Sequence, residues 1–168
     1  MTHRLLLLRH AKAEHGLDVS DAQRPLTTHG RAQSVQVGAA LVEAGLVPDL
    51  VLCSPAVRTR QTWQLALSRL PTEPEVRFPD ELYDAGVEQV MAVVRGVDEA
   101  ARVVLVVGHE PTMSRTATTL AGLGSDEATY ARVRLGVPTA AWSVSTILGA
   151  WADLAPGSAR LTRLHVPG

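Results

Sequence analysis

Only one cysteine, Cys53, occurs among the 168 residues. That excludes an internal disulfide framework and a zinc site built on thiolates, and it makes the reducing cytoplasm the expected compartment. Neither charge sign is in excess. Sixteen Lys and Arg stand against seventeen Asp and Glu, a formal charge of −1, so no global field draws the chain to nucleic acid or to an anionic membrane. Any preference for an anion has to be local. Long apolar runs are missing too. The run Leu5–Leu8 is too short to span a membrane and no small-residue cleavage site follows it, so neither a transmembrane segment nor a signal peptide is expected. There is no internal repeat, low-complexity tract or long linker. With 46% hydrophobic residues the chain can build one core, and a single domain over 1–168 is expected. No histidine pair shows the H-x-x-x-H spacing of a helical metal site, so no metal or other cofactor is expected.

What the chain does have is one kind of junction, repeated. Arg4–Lys12 reads R-L-L-L-L-R-H-A-K, an apolar run ending abruptly in Arg9, His10 and Lys12. Consecutive leucines suit a strand buried on both faces of a parallel sheet, and ligands of open α/β sheets bind at the carboxyl ends of such strands. Leu50–Cys53 is a second buried strand, followed by Ser54, a good helix N-cap, Pro55, suited to a first helical position, and Arg58 in the first turn. A cation there opposes the helix dipole, which suggests a ligand anion to compensate it. A third strand, Arg102–Val107, runs into Gly108 and His109, where the glycine lets the backbone turn sharply and Pro111 opens another helix. Three strand-to-helix junctions thus present side chains suited to phosphate.

The remaining segments fill an α/β pattern. Ala13–Pro25 is a polar loop expected beside the site; Thr27 or Thr28 caps a helix that Gly45 ends. Glu75–Phe78 reads as a short edge strand, and Val87–Val97 and Met113–Ala121 as helices. Ser125–Tyr130 reads as loop or short helix, and Ala140–Leu148 with Ala159–Val166 as an antiparallel pair at one sheet edge. Trp142 and Trp151 read as packing residues; His3, His15, His29 and His165 read as surface or capping residues.

Taken in order, L-R-H-A-K (Leu8–Lys12), R-P-L-T-T-H-G (Arg24–Gly30), S-P-A-V-R-T-R-Q-T (Ser54–Thr62) and G-H-E-P (Gly108–Pro111) resemble the histidine phosphatase superfamily. Within it they are most similar to the small bacterial phosphohistidine phosphatases of the SixA type. The resemblance implies a three-layer α/β/α fold of the phosphoglycerate mutase kind, its central sheet mostly parallel with an antiparallel edge. It also implies a phosphate pocket made by Arg9, His10, Arg58 and His109, with His10 as nucleophile and Arg24 at the rim; Lys12, the second cation beside His10, is expected to bind substrate as well. Ala11 stands where the wider superfamily commonly has glycine, and the chain is too short for the lid of the longer members.

The residues themselves suit phosphoryl transfer. Arg9 and Arg58 offer planar forks for phosphate oxygens, and a protonated His109 could donate to a third. A neutral His10 is a competent nucleophile, its flanking cations expected to keep it neutral. Glu81 is the first candidate for a leaving-group acid and Asp84 the second. A phosphohistidine needs such an acid less, because imidazole leaves more readily than an alkoxide; the expected partner is a phosphate-bearing substrate such as a phosphohistidine-containing protein. A broad small-molecule phosphomonoesterase and a non-catalytic phosphate-binding module stay open beside this reading.

Overall fold

The computed structural model describes residues 2–168. Six strands form one sheet: β1 (His3–Arg9), β2 (Leu50–Cys53), β3 (Glu75–Arg77), β4 (Val103–Gly108), β5 (Trp142–Ile147) and β6 (Ala159–His165) lie in the order β3-β2-β4-β1-β5-β6. The first four run parallel, while β5 pairs antiparallel to β1 and β6 antiparallel to β5. Five α-helices accompany them: α1 (Thr28–Glu43), α2 (Val57–Leu67), α3 (Val87–Arg95), α4 (Thr112–Leu120) and α5 (Glu127–Val133). The result is a three-layer α/β/α sandwich with a mostly parallel centre and an antiparallel edge.

The leucines of β1 show why the sheet is central. Leu5 and Leu7 join Val90, Met91 and Val94 of α3 and Met113, Ala117 and Leu120 of α4 in one core. Leu6 and Leu8 point the other way, against Val37 and Leu41 of α1 and Trp63 and Ala66 of α2. A strand whose alternate residues feed two cores has no polar face, hence the unbroken run. All four leucines are at most 2% exposed, and burying one such side chain is worth about 2 kcal/mol.

Helix ends follow local chemistry. Thr27 caps α1, its Oγ1 accepting from the Gly30 amide at 2.9 Å, and Gly45 follows the helix at φ +68°. A Cβ at Gly30 would collide with the Lys12 carbonyl, so glycine lets α1 press against the segment after β1.

Four expectations need correction. The second helix begins at Val57, capped by Ala56; the Ser54 hydroxyl accepts from the Ala56 amide at 3.4 Å and lies 2.8 Å from His109 Nε2. Gly108 is not a left-handed turn; it leaves room for Met113, whose Cε would lie 2.8 Å from an added Cβ. His3 is not a surface residue: it is 7% exposed, stacks on Trp151 at 4.7 Å and has Nε2 3.0 Å from the Glu99 carbonyl. His165 is partly buried, stacked on Trp142 at 5.1 Å. Both tryptophans are core residues, as their packing assignment requires.

Candidate active site

The three junctions meet because their strands are neighbours in register. Arg9 pairs with Gly108, and Cys53 with Val107, so the carboxyl ends of β1, β4 and β2 share one rim. Backbone bonds extend the alignment past the strands: the His10 amide donates to the Gly108 carbonyl at 3.1 Å and the Ser54 amide to the Val107 carbonyl at 3.0 Å. Side chains from all three junctions line one pocket of about 270 Å³. Arg9, His10, Lys12, Arg24, Arg58 and His109 are all in its wall, together with Ala13, His15, Glu110 and Thr139. A larger hollow of about 350 Å³ beside Leu123 and Tyr130 has no cation in its lining and no comparable chemistry.

His10 is 9% exposed and its Nδ1 lies 2.7 Å from the Ala11 carbonyl oxygen. A carbonyl can only accept, so the ring proton sits on Nδ1 and the Nε2 lone pair is free. Burial, first of all, pushes the imidazole down to about 3; the Ala11 carbonyl acts the other way, and His109, Arg58 and Arg9 lower it further by smaller amounts. The ring is therefore neutral, but desolvation and not the flanking cations is the main reason. The Ala11 amide in turn donates to Thr62 Oγ1 at 3.0 Å, and that hydroxyl donates to the Arg58 carbonyl at 2.7 Å. Thr62 thus ties the segment that follows His10 to the first turn of α2.

His109 faces His10 with ring centroids 5.5 Å apart. Its value is lowered to about 4, by burial and then by Arg58, so the ring is neutral at rest. Nε2 is engaged by Ser54 and Nδ1 is buried without a partner.

The arginines are held from behind. Arg9 Nη1 donates to the Val137 carbonyl at 2.9 Å, and the Val137 amide donates to Glu110 Oε2 at 3.1 Å. Arg58, 6% exposed, donates from Nη1 to the Asp21 carbonyl at 2.8 Å and from Nη2 to Asp21 Oδ2 at 3.1 Å. The Nε atoms of both arginines are buried and unpartnered. Arg24 lines the pocket, but its Nε donates to Asp21 Oδ1 at 3.0 Å and its Nη1 to the Glu14 carbonyl at 2.8 Å, so it staples its own loop. Lys12 sits at the rim with an exposed side chain.

The structure does not bring Glu81 or Asp84 into the pocket lining. The short 3₁₀ turn Asp80–Leu82 buries Leu82 and leaves Glu81 exposed; Asp84 is also exposed, though its charge reaches His109. Between them Tyr83 turns inward, its hydroxyl donating to Asp21 Oδ2 at 2.6 Å and its ring edge-on to His109 at 5.9 Å. Sequence reasoning does not assign Asp21, Tyr83, Ser54, Thr62 or Glu110 to the site, nor the lining residues Ala13, His15 and Thr139. The Asp21–Arg24 spacing of three and the position of Ser54 directly after a buried strand are the only local signals. Among the described residues, no group of three or more His, Cys, Asp or Glu is placed to hold a metal ion.

Two arginines and two imidazoles line one pocket at the carboxyl rim of an α/β sheet, an arrangement suited to phosphoryl transfer, and the protein is a hydrolase of the phosphatase class. The family model of the histidine phosphatase superfamily (branch 1) matches residues 5–83, which include Arg9, His10 and Arg58. The chain belongs to that superfamily. It is 36% identical over 161 residues to an uncharacterized protein of Mycobacterium tuberculosis, covering 95% of this chain and 99% of that one. Its fold matches that of a Nakamurella multipartitia protein provisionally assigned as the phosphohistidine phosphatase SixA, at TM-score 0.87 and 35% identity over 99% of this chain and 97% of the other. A protein from Agrobacterium tumefaciens with the same provisional assignment matches at TM-score 0.82 and 28% identity, covering 98% of each chain.

Proposed function

We propose that this protein removes the phosphoryl group of a phosphohistidine carried on a partner protein, through a covalent phosphohistidine at His10. One observation carries the reading: three nitrogens, Arg9 Nε, Arg58 Nε and His109 Nδ1, are buried without a hydrogen-bond partner, and all belong to residues lining the His10 pocket. Unsatisfied polar groups are costly in a protein interior, and three around one hollow fit the oxygens of a tetrahedral anion. In the first step His10 Nε2 bonds to phosphorus as the substrate's N–P bond breaks, and the departing imidazole keeps the bonding pair and takes a proton from solvent. Water then attacks the phosphorus on His10, releasing inorganic phosphate and the free ring. Arg9 and Arg58 offset the charge on the equatorial oxygens in both steps.

That neither Glu81 nor Asp84 lines the pocket supports an N–P bond over an unactivated alkyl ester, whose alkoxide would need an acid. Lys12 at the rim serves the incoming substrate. A buried free thiol at Cys53 suits the cytoplasm. The deciding experiment is rapid trapping with a phosphohistidine peptide, followed by mapping of the labelled residue. An acid-labile, alkali-stable label on His10 is expected, and His10→Ala should abolish it. A label on another residue, or faster turnover of simple alkyl phosphates than of the phosphohistidine peptide, would overturn the proposal.

A further inference from the structure

Arg58 is the one pocket cation whose two terminal nitrogens are both given to a single residue of a distant segment. It donates from Nη1 to the Asp21 carbonyl at 2.8 Å and from Nη2 to the Asp21 carboxylate at 3.1 Å. A guanidinium carries five N–H donors, so with these two committed the buried Nε–H and the remaining Nη hydrogens are what is left for a ligand. The same carboxylate accepts from Tyr83 at 2.6 Å and from Arg24 at 3.0 Å. Loop 14–25, the first turn of α2 and the turn before α3 therefore converge on one side chain.

We infer that Asp21 is the positioning residue for Arg58: it fixes the guanidinium so that its Nε edge meets the phosphoryl oxygens, while Tyr83 and Arg24 fix Asp21. The inference rests on the phosphoryl-site reading of the pocket. Two physical needs support it. A long arginine side chain has several rotamers to lose, and in the first turn of a helix the dipole repels it, so without a counter-charge it would not stay turned into the pocket. A carboxylate so near an anion site would itself repel the ligand, and the three side-chain donors around Asp21 spread that charge. Tyr83 above all, with Arg24 and Arg58, holds the Asp21 carboxyl well below the usual carboxylate range, so it stays ionised and is no proton donor.

The contrary possibility is that Asp21 competes with phosphate for Arg58. The two are separated by Asp21→Asn and Asp21→Ala, each made alone and in an Arg58→Lys background. The readouts are calorimetric binding of vanadate and steady-state turnover of a phosphohistidine peptide. Positioning predicts that Asp21→Ala weakens vanadate binding and raises KM by about tenfold, the scale of one charge-assisted hydrogen bond lost. Asp21→Asn should fall between, Asp21→Glu should recover part of the loss, and in the Arg58→Lys background Asp21→Ala should change binding less than about twofold. Vanadate bound as tightly or more tightly by Asp21→Ala, or an equal loss in both backgrounds, would overturn the inference while leaving the pocket reading intact. A wild-type protein that binds no vanadate would overturn both.

Discussion

The two buried imidazoles should make the protein acid-sensitive in a way that traces to His10 and His109. Their ordinary value of 6.5 falls to about 3 and about 4 in the fold. A histidine with a depressed folded value binds fewer protons folded than unfolded, so its contribution is intact above about pH 6.5. It is lost as pH falls from there toward the folded value. Between pH 7 and pH 5 the loss is set almost wholly by the unfolded chain, since both folded values lie below 5. Integrating over that interval gives about 1.9 kcal/mol for each ring, and about 3 to 4 kcal/mol for the pair. The assay is urea unfolding at pH 7 and pH 5, wild type beside His10→Gln, His109→Gln and the double variant. Carboxylates and the other histidines contribute equally to all four and cancel in the differences. The double variant should lose about 3 kcal/mol less than wild type over the interval, with each single variant near half of that. If the double variant loses as much as the wild type, the rings are not held neutral and the nucleophile assignment for His10 loses its electrostatic basis.

Arg58→Lys should cut kcat/KM on a phosphohistidine peptide about thirtyfold, about 2 kcal/mol, because an ammonium cannot serve both Asp21 and a phosphoryl oxygen with fixed geometry; rates within threefold of wild type would refute that. Thr62→Val keeps the volume but breaks the bridge from the Ala11 amide to the Arg58 carbonyl, so it should cost about 1 to 2 kcal/mol in urea unfolding and lower kcat. Thr62→Ser should restore both, and failure of the serine to rescue kcat would leave Thr62 a packing residue only.

How much of the molecule is legible in its sequence depends on whether a residue's partner is local. The β1 and β4 runs are legible because a strand buried on both faces has an unmistakable composition, and the ends of those runs name Arg9, His10 and His109. Arg58 is legible because a cation is out of place at a helix N-terminus. The cap of α2 falls two residues later than Ser54 suggests: the Ser54 hydroxyl lies 2.8 Å from His109 Nε2 and reaches its own segment only at the Ala56 amide, at 3.4 Å. Glu81 belongs to a turn that does reach the site, yet the apolar side chain Leu82 claims the interior of that 3₁₀ turn and Glu81 faces outward. Asp21 lies 37 residues from Arg58 in sequence, and His3 meets Trp151 from the opposite end of the chain. Contacts that long-range leave no periodicity to detect.

The pocket has unequal walls. His10 directly follows a strand bonded on both sides in the interior of the sheet, and its own amide and carbonyl are bonded to Gly108 and Ala140. Asp21, by contrast, rides a surface excursion whose residues 15–20 are all solvent-facing, closed at its base by the Ala13–Leu26 bridge, the Glu14 amide on the Pro25 carbonyl and Arg24 on the Glu14 carbonyl. Reshaping that excursion should alter how Arg58 is presented without disturbing the His10 ring. Changes confined to residues 15–20 should therefore shift which ligands the pocket admits and leave its floor as it is.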